Sequence, residues 1–196
     1  MRILFYDPCA YKEYTLETGL QSPLGGSEAT LIRVANALKA QHEILHWIPK
    51  FQEEWKGEKP DVVIIMRAPI LANGIKKIFP EAKVLVWMHD IVTPEVAVEA
   101  MDNSKSIAAM ICVSEYHKTQ TVTALQAQHY NGEFPVARVF NPVDDDLQPD
   151  PTVEYDKNKL VFFSSPHKGL EHAIRIFDNL RANFLPDIWL DVLNPG

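Results

Sequence analysis

The chain has 196 residues, 46% of them hydrophobic and 23% charged, which is typical of a globular protein with a hydrophobic core. Its net charge of −7 argues against a nucleic-acid-binding surface, because such surfaces carry an excess of basic residues. The chain has only two cysteines, and we find no signal peptide and no apolar run near the ~18 residues of a membrane span. These features predict a cytoplasmic setting.

Short apolar runs predict strands, and most are continuous rather than alternating, as in strands buried on both faces of a parallel sheet. In chain order they are RILFY, EILHW, DVVIIM, AKVLVWM, AMICV, VARVF, KLVFF and DIWLDVL. Segments between them predict helices over 27–40, 70–79, 94–101, 115–128 and 169–181. This alternation predicts an α/β fold with a doubly wound parallel sheet.

A segment rich in proline and aspartate, residues 143–158, predicts a linker. It separates a domain over 1–142 from a strand–helix–strand unit over 159–196. The consecutive aspartates 144–146 have the chemistry of a Mg²⁺ site, but their place in a proline-rich segment favours a solvated hinge. We therefore predict no metal site.

Gly25 and Gly26 stand directly before the first predicted helix. The free N–H groups and partial positive charge of a helix N-terminus suit phosphate or carboxylate, and glycine permits close approach of a ligand. The alternative is a tight turn into Ser27 as the N-cap, with Glu28 in the first helical turn. Glu28 adds negative charge at the same helix end, so the residues alone leave both interpretations open.

His89 and Asp90 follow the fourth predicted strand. In open α/β sheets, ligands bind outside the carboxyl ends of the strands, where an imidazole can donate to an oxyanion or a sugar hydroxyl. The alternative is a histidine that caps a loop, with Asp90 as its partner. The residues alone give these two interpretations equal weight.

Lys168 stands just before the last predicted helix, after Ser164 and Ser165. A lysine at this position can hold a diphosphate, helped by the serine hydroxyls and the N–H groups that follow. Without further context, a solvated lysine in an ordinary loop is the favoured interpretation.

Five segments resemble, in order, the retaining glycosyltransferases of the GT-B architecture, which has two Rossmann-like domains. They are GGSEATLIRVANALKAQHEI, VWMHD, AMICVSEYHK, VARVFNPVD and FFSSPHKGLEHAIRIF. The resemblance implies that the chain is the N-terminal domain and the start of the C-terminal, donor-side domain. It implies a catalytic role for His89, donor-diphosphate roles for Lys168, Ser164, Ser165 and Gly26, and acceptor-side or loop roles for Gly25, Ser27, Glu28 and Asp90.

The implied reaction is transfer of a sugar from a nucleotide-diphosphate donor to an acceptor hydroxyl, with retention and without a metal or cofactor. The implied partners are a nucleotide sugar and a glycan or lipid-linked acceptor. Peripheral membrane association and a homodimer through the C-terminal unit are further options.

The chain departs from the family pattern at three places. Ser164 and Ser165 stand where the family has an arginine, Pro142 stands where it has a glycine, and the chain stops where the family continues for roughly another domain. We therefore expect this chain to be inactive by itself. The alternatives are a non-catalytic binding or assembly module and a sugar-nucleotide epimerase of the same architecture.

Overall fold

A computed structural model describes residues 1–17, 24–52, 54–143 and 150–193. The chain divides into two compact units, Met1–Pro142 and Val143–Gly196. The boundary falls where the predicted linker begins, and the aspartates 144–146 lie outside the described residues. That the units correspond to the two domains of a GT-B enzyme stays a prediction.

The first unit alternates strands and helices, and its helices agree with the predicted ones to within two residues. The strand predicted from VARVF is shorter than expected: it ends at Arg138, at an edge of the sheet. The elements are β1 (Arg2–Tyr6), α1 (Gly26–Leu38), β2 (Glu43–Trp47), β3 (Val62–Met66), α2 (Ala72–Ile78), β4 (Lys83–Met88), α3 (Pro94–Asp102), β5 (Ala109–Cys112), α4 (Glu115–Gln126) and β6 (Val136–Arg138).

The six strands form one parallel sheet in the order β2-β1-β3-β4-β5-β6. This confirms the predicted α/β class and a Rossmann-like, doubly wound sheet. The chain runs from β1 outward to β2 and then returns to β3 on the other side of β1. The strand order therefore reverses between β1 and β3, and ligands of such sheets bind beside the strand ends at that point.

An apolar layer covers each face of the sheet. Phe5 and Met66 pack with Leu31 of α1 on one face, while Leu4 and Ala97 belong to the layer on the other face. Because the strands are buried on both faces, their sequences are continuously apolar. Each fully buried large aliphatic or aromatic side chain contributes about 1.5–3 kcal/mol of stability.

Helix α1 begins one residue earlier than predicted, and the alternative interpretation in which Ser27 is its N-cap is wrong. Gly25 is the N-cap, with φ −64° and ψ 157°. Its carbonyl accepts from the Ala29 N–H at 3.0 Å, which places Ser27 inside the first turn. No side chain of the described residues caps this helix end.

The second unit contains β7 (Lys159–Phe163), α5 (Leu170–Asn183) and β8 (Trp189–Leu193). β7 and β8 pair in parallel, as the predicted strand–helix–strand pattern requires. α5 has no fully buried residue. Both cysteines of the chain are free, and Cys112 is buried in β5. Across the described parts of the chain, no helix combines the length and apolar character needed to cross a bilayer.

Candidate functional site

Several polar side chains meet where the strand order of the first unit reverses. Asp7 follows β1, Arg67 follows β3, and Glu28 lies in the first turn of α1. We call this group, with the residues that contact it, the strand-end cluster. Its members are Asp7, Tyr14, Glu28, Arg67, His89 and Asp90.

Arg67 is the centre of the cluster. Its Nη2 donates to Glu28 Oε1 at 3.0 Å and lies 3.8 Å from Asp7 Oδ1, while Nη1 lies 4.0 Å from Asp90 Oδ2. The side chains of Asp7 and Glu28 are buried, whereas that of Asp90 is exposed. Because buried carboxylates are costly without a partner, Arg67 is what allows Asp7 and Glu28 to stay in the interior.

Asp7 is held by two further donors. The Tyr14 hydroxyl donates to Oδ2 at 2.7 Å, and the Cys9 N–H donates to Oδ1 at 3.1 Å. Burial raises the pKa of Asp7, while the Tyr14 bond and the charge of Arg67 oppose that rise. Burial and the neighbouring Asp7 charge raise the pKa of Tyr14, so its hydroxyl keeps its proton and remains the donor.

The backbone of Arg67 has a positive φ of 62°, in the left-handed region. Its N–H donates to the Trp87 carbonyl at 2.9 Å, which fixes the chain where β3 ends. A left-handed conformation in a residue with a side chain costs roughly 1–3 kcal/mol, and such residues concentrate at functional sites. Burial disfavours the charged form of Arg67 and by itself lowers its pKa. The surrounding carboxylates have the larger combined effect, so the pKa of Arg67 is raised.

His89 packs against Trp87, with ring centroids 4.9 Å apart. Burial, followed by the charge of Arg67, lowers the pKa of His89 to about 4. The imidazole is therefore neutral near pH 7, with one nitrogen as donor and the other as acceptor. Asp90, the partner considered for His89, makes its ion pair with Arg67 instead.

Within the part of the chain that the structure describes, four buried polar atoms near these strand ends have no hydrogen-bond partner: Arg67 Nε, Trp87 Nε1, His89 Nε2 and His117 Nε2. His117 lies in the first turn of α4, where its Nδ1 accepts from the Val113 N–H at 3.4 Å. It is close enough to His89 to contribute to the lowered pKa of His89. Since an unpaired buried polar group costs about 1–3 kcal/mol, each of these atoms is a position that a water molecule or a polar ligand would satisfy.

The structure brings Glu28, His89 and Asp90 together around Arg67. Gly25 borders this group, because a Cβ at this position would collide with the Glu28 carboxylate. A Cβ at Gly26 would meet no atom of the described residues within 4 Å. The two adjacent glycines therefore have different surroundings, and the requirement for glycine is steric at Gly25 only.

Ser27 belongs to the same helix start. Its hydroxyl donates to Glu28 Oε2 at 3.3 Å, so it supports the position of the Glu28 carboxylate. Ser27 therefore supports Glu28 through its side chain and does not cap the helix.

Lys168, Ser164 and Ser165 belong to the second unit. Residues Pro166–Lys168 form a single 3-10 turn, and the Lys168 N–H donates to the Ser165 carbonyl at 2.9 Å. Gly169 follows with φ 111°, and α5 begins after it. The Lys168 side chain is exposed. Its role at a donor diphosphate stays a prediction.

The sequence analysis missed Asp7, Tyr14 and Arg67 as site residues. For two of them a signal was present: Asp7 and Arg67 are charged residues placed directly after continuous apolar strands. In a parallel sheet such residues lie at the ligand-binding edge. Tyr14 lies in a loop, and nothing in the sequence pairs it with Asp7.

No model of a known protein family matches the chain, and no curated protein matches its sequence. Among the described residues there is no group of three or more His, Cys, Asp or Glu side chains arranged to hold a metal ion.

Proposed function

We propose that this chain belongs to a glycosyltransferase that transfers a sugar from a nucleotide-diphosphate donor to an acceptor hydroxyl, with retention of configuration. The first unit forms the acceptor side, and the second unit contributes to the donor side. The observation that carries the proposal is the strand-end cluster, which gathers polar side chains around Arg67 at the reversal of strand order.

In the proposed reaction the bond between the anomeric carbon and the diphosphate oxygen breaks, and the diphosphate leaves with the electron pair. The acceptor oxygen forms the new bond on the same face, and its proton passes to the departing phosphate. His89 is neutral near pH 7 and has a free buried Nε2, so it is suited to hydrogen-bond a sugar hydroxyl during this step.

The departing diphosphate needs positive charge or N–H donors. Lys168 has an exposed ammonium group just before α5, and Ser164 and Ser165 supply hydroxyls in the same turn. We assign the diphosphate to these residues because a helix N-terminus and a lysine together suit phosphate oxygens. No metal ion is needed in this scheme.

The test is release of nucleotide diphosphate by the natural gene product, whatever its length, from UDP- and GDP-sugars in the presence of acceptor mixtures. We expect His89→Asn and Lys168→Ala each to lower kcat at least tenfold, the lower end of what one electrostatic or hydrogen-bonding group contributes. His129→Asn and Lys157→Ala are matched controls, since both side chains are exposed. Full transfer by a His89→Asn, Lys168→Ala double variant would show the proposal to be wrong.

The exposed apolar side chains of the second unit favour one alternative, a non-catalytic binding or assembly module. Phe163 and Phe184 are each 70% exposed, and Ile176 is 59% exposed. Large exposed apolar side chains on a small unit are typical of an association surface. Under this alternative the natural product sediments as a homodimer and its melting temperature does not respond to nucleotide sugars.

An epimerase would instead convert the donor into its isomer without forming a glycoside.

A further inference from the structure

We propose that the strand-end cluster selects an uncharged polyhydroxyl acceptor, such as a neutral sugar or a cyclitol, and rejects phosphorylated or carboxylated ones. This inference rests on the proposed function and adds the chemical class of its acceptor. It follows from the charge balance of the cluster, the geometry of Arg67 and the unpaired atoms around it.

The charge balance of the cluster is negative. Arg67 is its cation, and its carboxylates are Asp7, Glu28 and Asp90. With all three carboxylates ionised the formal charge is −2, and with Asp7 protonated it is still −1. Because a phosphate or carboxylate placed here meets like charge in a partly buried setting, its binding costs free energy that a neutral molecule does not lose.

Arg67 is also poorly placed to hold an anion. Its Nη2 already donates to Glu28, and its Nη1 faces Asp90. Strong recognition of phosphate or carboxylate by arginine uses two parallel N–H donors on one edge of the guanidinium. Among the described residues, Nε is the buried atom of this guanidinium that has no hydrogen-bond partner. A single donor of this kind suits a hydroxyl oxygen.

The other unpaired atoms have the same character. Trp87 is 2% exposed and His117 is 7% exposed, and each has one buried nitrogen that no described residue pairs with. The indole N–H can only donate, and a neutral imidazole offers one donor and one acceptor. A sugar hydroxyl both donates and accepts, so it can satisfy these nitrogens and also donate to the Asp90 carboxylate on the rim. A set of separate single donors beside carboxylates therefore fits a polyhydroxyl ligand.

The test uses the 196-residue chain and saturation-transfer-difference NMR. The neutral probes are methyl glucoside, methyl mannoside and myo-inositol, and the anionic probes are glucose 6-phosphate, mannose 6-phosphate and glucuronate, all at equal millimolar concentrations. We expect a signal from at least one neutral probe, a clearly weaker one from its anionic counterpart, and loss of the signal in the His89→Asn variant.

A charge variant sharpens the test. Asp90→Asn removes one rim charge, so we expect it to raise binding of the phosphorylated probe relative to the neutral one about fivefold, the effect of one unit charge at about 4 Å in water-like surroundings. Glu81→Gln is the matched control, because Glu81 is exposed and precedes the opposite end of β4. It should leave this ratio unchanged.

Three outcomes would overturn the inference: equal binding of neutral and phosphorylated probes, binding of neither, or an equal response of the ratio to Asp90→Asn and Glu81→Gln. The failure of the proposed function is a different result, namely binding of neutral probes without any nucleotide release by the natural product. Transfer to a phosphorylated acceptor would preserve the proposed function and refute the inference.

Discussion

Two stretches of this chain have the same local pattern and different surroundings. β1–α1–β2 and β7–α5–β8 are both strand–helix–strand units with parallel strands of five residues. In the first, Leu4 and Phe5 are completely buried, whereas in the second Phe163 is largely exposed and α5 buries no residue. β1 lies between β2 and β3, while β7 pairs with β8 alone. The pattern therefore determines the local geometry, and the neighbouring strands determine the burial.

The same difference explains where the polar site lies. The residue after β1, Asp7, is buried and paired with Arg67, which follows the neighbouring strand β3. The residue after β7, Ser164, has a single neighbouring strand end in the described part of the chain, that of β8, which pairs with β7 in parallel. A site of several charged side chains requires several strand ends side by side.

The largest expected effect concerns two arginine–glutamate pairs, one in each unit. Arg67→Ala leaves Asp7 and Glu28 buried without their cation, so we expect the free energy of unfolding to fall by about 3–5 kcal/mol. Arg175→Ala breaks the exposed pair of Arg175 with Glu171 in α5 and should cost less than about 0.5 kcal/mol. Urea unfolding of both variants, followed by circular dichroism, gives the two values.

A rescue variant separates loss of charge pairing from loss of packing. Combining Arg67→Met with Asp7→Asn and Glu28→Gln removes the unpaired charges, so we expect it to recover most of the lost stability. Equal effects of Arg67→Ala and Arg175→Ala would contradict the burial difference between the two pairs.

The next effect concerns two leucines, one inside the first strand of each unit. Leu4 and Leu160 are each an inner residue of the first strand of their unit, but Leu4 is 0% exposed and Leu160 is partly exposed. We expect Leu4→Ala to cost about 3 kcal/mol and Leu160→Ala about 1 kcal/mol or less, because a partly exposed site loses less apolar burial and leaves no closed cavity. A larger loss for Leu160→Ala than for Leu4→Ala would show that the second unit has the better-packed core.

These pairs also show what the sequence could and could not predict. The strands and helices were predictable because each apolar run or stripe is local, as for Leu31 in α1. His89 and Glu28 could be singled out because each stands at the end of such an element. Their meeting through Arg67 could not be predicted, because it depends on the order of strands and on a left-handed residue after an apolar strand.

The third expected effect is a dependence of stability on pH in the first unit. Burial lowers the pKa of both His46 and His89 to about 4, below the ordinary value near 6.5. The unfolded chain then binds more protons between these values, so the stability present above about pH 6.5 is lost as the pH falls toward 4. Asp7, whose pKa is raised, acts in the opposite direction, but two imidazoles outnumber one carboxyl.

Between about pH 7.5 and about pH 5 we expect a loss of roughly 1–2 kcal/mol after allowance for solvent screening, or about 3–6 °C in melting temperature. Differential scanning fluorimetry across this range measures it. A His46→Gln, His89→Gln variant should have a flatter profile. The matched variant in the second unit, His167→Gln with His172→Gln, changes two exposed histidines and should leave the profile as it was. If stability falls with pH equally steeply in both variants, His46 and His89 are not the cause of the pH dependence.

The smallest expected effect distinguishes the two adjacent glycines at the start of α1. The φ of Gly25 is −64°, which alanine adopts freely, so Gly25→Ala acts only through the collision of its Cβ with the Glu28 carboxylate. We expect a loss of about 1 kcal/mol as Glu28 shifts away from Arg67. Gly26→Ala meets open space within the helix and should stabilise the chain by about 0.5–1 kcal/mol.

A double-mutant cycle decides whether the collision with Glu28 is the cause. In a Glu28→Ala background the carboxylate is absent, so Gly25→Ala should cost nothing and the coupling energy should equal the loss measured in the native background. Gly26→Ala should give the same gain in both backgrounds, because its Cβ contacts neither Glu28 nor any other neighbour. If Gly25→Ala costs as much without the Glu28 carboxylate as with it, glycine is required there by the turn and not by the strand-end cluster.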